Sequence, residues 1–281
     1  MRHTRLASTL GLGLTIAACG SDFDPQGLLA DDRLLALVAD APEPSPDQIV
    51  HLRAEVFDPG APSGGYTWRV CLASLGAPAA YACADPALEF AVEGDGPDLA
   101  LDLGPAGLDF RRRYAEFGPV AGLDGEDLTL DDGVPLWVKL SGGPLRAGES
   151  AVKRLRVRDT DPDTRNHNPG IADLTVNGAS TRSGPIPVPA DTEVELALTL
   201  ADDAAERYTD DVTGEDRREV LVYRWFAEGE APDPESTFDD DRDTNLRTPS
   251  VSGDVAFYVV VRDGRGGQSV AGGTLRVGES R

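Results

Sequence analysis

The sequence predicts an all-β chain of two tandem β-sandwich modules behind a removable leader and a short tether. Three observations predict it. Apolar and polar residues alternate over many short segments, the two-residue period of half-buried strands. Glycine and proline, 31 and 21 residues, interrupt the chain too often for long helical patterns. One order of features occurs twice: an N-terminal strand, a proline-rich break, a strand ending in acid (Asp58, then Asp202 and Asp203), and an aromatic-x-Trp strand (Tyr66 to Trp68, then Tyr223 to Trp225).

From the start of the chain, a short basic segment (Met1 to Arg5) precedes the uncharged run from Leu6 to Ala18. Charge, then a short apolar stretch, then small residues is the layout of a secretory signal peptide. The run is shorter than the ~20 residues a membrane-spanning helix needs. Residues 1–18 are therefore set aside from the fold, and residues 19–32, acidic with Pro25 and Gly27, read as a tether. The first module spans 33–159. Its strands are Leu34–Ala39, Gln48–Phe57 with Ile49, Ala54 and Val56 inward, Tyr66–Cys71, the Leu99/Leu101/Leu103 row, Val134–Leu140 and Lys153–Val157. Residues 104–130 are irregular, with room for a short helix around Phe110–Phe117 but no structure assigned to the stretch. A polar stretch opening at Asp159 leads into the linker, 160–170. The second module, 171–281, holds strands at Ile171–Val176, Thr192–Leu200, Val220–Ala227, Val255–Arg262 and Val270–Val277. The strand Val255–Arg262 is apolar on both faces and should be covered on both. Short strands with regular turn signals make each module an immunoglobulin-like sandwich, with Trp68 and Trp225 between the sheets.

Two resemblances add to this reading. Ile16-Ala17-Ala18-Cys19 resembles the lipobox of bacterial lipoproteins. That resemblance implies cleavage before Cys19, a diacylglycerol thioether on its thiol, and stable anchoring by two or three acyl chains. Gly20 stands where an aspartate would retain such a protein at the inner membrane, which implies the outer membrane. In the second module, Tyr223-Arg224-Trp225, Thr248-Pro249 and the run Val259 to Gly267 (VVVRDGRGG) are similar to the Ig-like or PKD-like repeats of bacterial surface proteins. Asp263-Gly264 and Gly266-Gly267 suit the positive φ of a tight hairpin. The whole chain is similar to lipoproteins of predatory and gliding δ-proteobacteria. With Cys19 lipidated, Cys71 and Cys83 remain as one candidate disulfide in an oxidising compartment; two free buried thiols are the alternative.

Net charge is −23, or −25 once Arg2 and Arg5 leave with the leader. Such a chain repels nucleic acid, so no nucleic-acid partner is expected. No catalytic constellation is legible. His51 lies in a strand and His167 in the linker, neither beside a nucleophile motif. Leu140-Ser141-Gly142-Gly143 reads as a turn after a strand, because no phosphate-binding loop accompanies it. An enzyme would need a pocket joining either histidine to several acids. Asp159, Asp161, Asp163, Asn166 and Asn168 offer hard oxygens at alternating spacing and form a candidate Ca²⁺ site at the junction; Asp239, Asp240, Asp241 and Asp243 form a second acidic cluster. Solvated loop acid is the alternative for both. The expected function is a non-enzymatic envelope lipoprotein of the outer membrane that binds a protein or displays a surface. The alternative is a Ca²⁺-dependent adhesion or carbohydrate-binding module acting on polysaccharide. An exposed tryptophan would favour that alternative, but Trp68, Trp137 and Trp225 all sit in strands with inward neighbours.

Overall fold

The computed structural model describes residues 25–60, 65–117, 128–210 and 213–278. The leader, Cys19 and part of the irregular stretch 104–130 lie outside the described residues.

The first module contains β1 (Arg33–Ala39), β2 (Ile49–Phe57), β3 (Tyr66–Cys71), β4 (Glu89–Val92), β5 (Asp98–Asp102), α1 (Phe110–Phe117), β6 (Val134–Gly142) and β7 (Ala151–Val157). They form two antiparallel sheets, ordered β1-β2-β5 and β4-β3-β6-β7. Alternation puts one row of each strand between the sheets: Val50, Leu52 and Ala54; Trp68 and Val70; Leu136, Val138 and Leu140; Leu155 and Val157. Phe110 of α1 closes one end of this core. Of the three residues expected inward on β2, Ala54 is buried and Val56 packs against the core, but Ile49 falls on the other face. Ile49 is 51% exposed, and the core row begins one residue later at Val50. A one-residue shift moves a strand's side chains to the other face, and the imperfect period of IVHLRAEVF left that phase open.

The second module contains β8 (Ile171–Val176), β9 (Ala179–Ser180), β10 (Ile186–Pro189), β11 (Glu193–Leu200), β12 (Arg207–Thr209), β13 (Asp216–Arg218), β14 (Val222–Ala227), β15 (Ser236–Phe238), β16 (Asp243–Arg247), β17 (Gly253–Arg262) and β18 (Gln268–Gly278). Its sheets run β10-β18-β17-β14-β15 and β16-β11-β8-β9, with β12-β13 as a separate hairpin. Tyr223, Trp225, Phe257, Val259, Val261, Leu196 and Leu275 fill the space between the sheets. The fold is all-β and immunoglobulin-like. Edge strand β10 pairs parallel to β18, a place where Pro187 and Pro189 are tolerated because an edge needs fewer donors.

The modules pack side by side. Phe257, Val259 and Val261 of β17 enter their own core, as both-sided burial required. The opposite face is covered by the first module: Val260 and Phe226 pack with Leu35, Ala36 and Phe57, and Val38, Ala256 and Tyr258 border them. Phe57 meets Tyr258 edge to face at 6.3 Å. The segment read as a tether joins this contact from its described start. Leu29 is 3% exposed, and the Leu29 N–H donates to the Ala227 carbonyl at 2.8 Å. Gly27 lies so close to the Trp225 carbonyl that a Cβ there would sit 2.8 Å from its oxygen.

Candidate functional site: the cleft between the modules

The site is built on the β17–β18 hairpin. Gly264 and Gly266 adopt φ of 79° and 126°, as the Asp-Gly and Gly-Gly pairs required. The turn folds around Asp263, itself 3% exposed. The Asp263 carboxylate accepts the N–H groups of Arg265, Gly266 and Gly267 at 2.7–2.9 Å. It also accepts Asn166 Nδ2 at 2.8 Å, which ties the linker to the turn. Gly267 must lack a Cβ, which would stand 2.1 Å from an Asp263 oxygen.

That turn aims Arg265 into the junction. Its guanidinium lies 2.9 Å from Glu219, 3.4 Å from Glu206 and 3.8 Å from Glu43, with its carbon 4.5 Å from the centre of the Tyr208 ring. Glu43 comes from the proline-rich break of the first module. Pro42 and Pro44 lie along the edge of β7, their carbonyls accepting the Arg156 and Arg158 N–H groups at 3.1 and 2.9 Å. The Glu43 carboxylate is thereby buried between modules, where it accepts the Asn166 N–H at 2.9 Å and faces Arg156 and Arg158 at 3.6 and 3.8 Å. Burial pushes the Glu219 carboxyl above the ordinary range, against the pull of Arg265. Lys153, on the inward row of β7, donates to the Gly266 carbonyl at 2.6 Å. Its burial lowers the amine pKa to about 8. Asn168 completes the joint, donating to the Ala39 carbonyl at 2.7 Å and accepting the Gln268 N–H at 2.9 Å.

Above this joint opens a cleft of about 1040 Å³. One wall is the outward row of β7, Arg154 and Arg156, with Arg158 just beyond the strand; the other is β12 and the final turn, with Arg207, Tyr208 and Arg265. Arg154 and Arg207 are exposed, and no acidic side chain pairs with either among the described residues. Acids also line the cleft, including Asp163, Asp203 and Asp216. The arrangement offers donors and acceptors side by side on two walls from different modules.

The residues considered for Ca²⁺ are placed separately. Asp159 pairs with Arg111 at 2.8 Å, which holds its carboxyl below the usual range. Asp161 accepts the Asp163 N–H and caps a short turn. Asn166 and Asn168 make the joints just described. Among the described residues no three His, Cys, Asp or Glu side chains are grouped to hold a metal ion. Asn166 Oδ1 is buried without a hydrogen-bond partner. In the other cluster, Asp240 faces Arg242 at 3.6 Å and the Asp239 carbonyl accepts the Tyr223 hydroxyl. His167 Nδ1 lies 2.8 Å from Glu206. His51 lines a shallow concavity of about 680 Å³ with Asp40, Glu93, Asp95 and Asp98, but it is the His51 backbone N–H, not the ring, that meets Asp40. No Ser, Thr, Cys or Lys lines that concavity among the described residues.

Cys71 and Cys83 form a disulfide. Trp68 and Trp225 are fully buried, 2% and 0% exposed, but Trp137 departs from the inward reading. It stands on the outer face of β6, partly exposed, with the Tyr81 ring 5.3 Å away. The signal was present in VPLWVKL, where Val134, Leu136, Val138 and Leu140 form the core row and Trp137 falls out of phase.

No family model and no curated protein matches the chain. Among solved structures it is similar to the fibronectin(III)-like modules of Clostridium thermocellum CbhA, at 10% identity over 88% of this chain and 96% of that one, with a TM-score of 0.27. It is similar to murine CEACAM1b at 11% identity over 87% and 98%, with a TM-score of 0.22. A nucleoside hydrolase-related hypothetical protein from Saccharophagus degradans, associated with carbohydrate metabolism, is 18% identical over 43% of this chain, with a TM-score of 0.27. This chain spans 28% of that protein's length.

Proposed function

We propose that this chain is a lipid-anchored protein of the outer membrane that works by binding, without catalysis, and that the cleft between its modules is the ligand site. The observation that carries the reading is the cleft itself, with walls supplied by two modules locked together through Glu43, Asn166, Asp263 and Arg265. A catalytic cleft would place a nucleophile or a proton-transfer pair in reach of one point. Here the carboxylates at the floor of the cleft, Glu43, Glu206 and Glu219, are taken up by guanidinium and backbone donors. Anchoring rests on the lipobox resemblance at Cys19. Five residues separate Cys19 from Pro25, six Cα-to-Cα steps with a greatest reach of about 20 Å. The docked segment from Gly27 would then keep the second module near the membrane surface.

Two measurements test this. Cys19→Ser should abolish metabolic labelling by radioactive palmitate and release the chain from the membrane fraction; retained label would refute the anchor. For the cleft, the tagged protein is crosslinked in intact host cells and its companions identified by mass spectrometry, beside the double variant Arg154→Glu, Arg207→Glu. A dominant companion lost in the variant supports the reading. Identical companions in both would overturn the cleft as the site.

A further inference from the structure

We propose that the ligand is an acidic oligosaccharide, held in a groove that begins at the Tyr81–Trp137 pair on the first module and runs past Arg154 into the cleft. This rests on the reading of the cleft as a binding site and names its ligand class.

The groove is continuous through one residue. Arg154 pairs across the strands with Trp137, and it lines both the cleft and a smaller hollow of about 350 Å³ with Tyr81, Trp137, Ser150 and Val152. The aromatic pair is built, not incidental. Cys71, the cross-strand neighbour of Trp137 on the other side, carries the disulfide to Cys83. The loop so closed folds back over the sheet, with the Leu75 N–H donating to the Ala82 carbonyl and the Ala84 N–H to the Ala73 carbonyl. It presents Tyr81 to Trp137 by holding Ala80 and Tyr81 at φ of 49° and 56°, a left-handed conformation that bulky side chains avoid. Outliers of this kind gather at ligand clamps.

The chemistry selects the ligand. Two partly exposed rings offer an apolar, electron-rich face to the C–H face of a pyranose. The guanidiniums of Arg154 and Arg207 match a carboxylate or phosphate with their paired donors. In a chain of net charge −23 the cleft gathers five arginines beside its acids, and Arg154 and Arg207, exposed and without an acidic partner among the described residues, are the groups that favour an anion there. An acidic peptide such as oligoglutamate brings carboxylates for the arginines but no hydroxyls for Asp163, Asp203 and Asp216 to accept. A saccharide brings hydroxyls that those same aspartates can accept.

The test is calorimetric titration of the full chain in detergent with an oligogalacturonide, a neutral oligosaccharide of equal length, a phosphorylated oligosaccharide and an oligoglutamate. Tyr81→Asn, Trp137→Leu and Arg154→Gln are compared with the parent, with thermal melts to show each is folded; Asn tolerates the left-handed backbone at position 81. Binding of an anionic saccharide, weakened about tenfold or more by each variant, supports the proposal, and the uronide and phosphate arms identify the charge. Equal binding of the neutral sugar or the oligoglutamate overturns it, as does uronide or phosphate binding indifferent to Tyr81→Asn and Trp137→Leu. If no saccharide binds while companion capture in cells still depends on Arg154 and Arg207, this inference fails and the cleft reading stands.

Discussion

Lys153 shows how a single residue links the joint to solution conditions. Its stem shares the inward row of β7 with Leu155 and Val157, and its amine reaches the Gly266 carbonyl of the other module. Burial lowers its pKa to about 8 from 10.5. Between those values the unfolded chain binds more protons than the folded one, so this group makes stability rise with pH across that window and fall as pH drops toward 8. Lys153→Met removes the titrating group. Urea unfolding at pH 7.5 and 9.5 should show the parent gaining more stability than Lys153→Met. Equal changes in both would refute a buried, depressed amine.

At the scale of the element, the disulfide loop is the clearest case. By the chain-entropy model, a loop of 12 residues closed by Cys71 and Cys83 contributes about 3 kcal/mol. The Cys71→Ala, Cys83→Ala variant should lose about that much in a denaturant melt; an unchanged midpoint would show the loop is held by its other contacts. Strands with a strong two-residue period were legible: β3 and β11 follow their alternation, β14, β17 and β18 fall close to the expected spans, and α1 takes the place at Phe110–Phe117 where the sequence left room for a short helix. Others were not. β10 is four residues with two prolines, and β15 and β16 are short and polar, so they carry too little pattern to stand apart from loop. Their pairing is decided by neighbours already in place.

For the whole molecule, the apolar seam between modules predicts cooperative behaviour. Phe226 is 6% exposed because β1, β2 and the segment at Leu29 cover it. A buried charge there cannot be solvated without opening the seam. Phe226→Asp should split one calorimetric transition of the parent into two, the second module melting lower. A single transition at the parental temperature in the variant would mean that the polar joint at Glu43 and Asp263 alone couples the modules.

The in-and-out pattern of strands is a local property, written over a few residues by the pleat. For that reason the all-β class, the buried Trp68 and Trp225, the Asp263-Gly264 turn and the two-faced burial of β17 were available from the sequence alone. The candidate site was not. Glu43, Arg154, Arg207 and Arg265 are each an ordinary charged residue in its own segment, and Asn166 an ordinary linker residue. Their roles depend on which residues, distant along the chain, meet after both modules have folded. Desolvation then sets what each charge does: Glu43 and Arg265 are buried against partners, whereas Arg154 and Arg207 remain exposed on the cleft walls. Alternation decided which face Trp137 would take, and only the tertiary structure placed Tyr81 beside it.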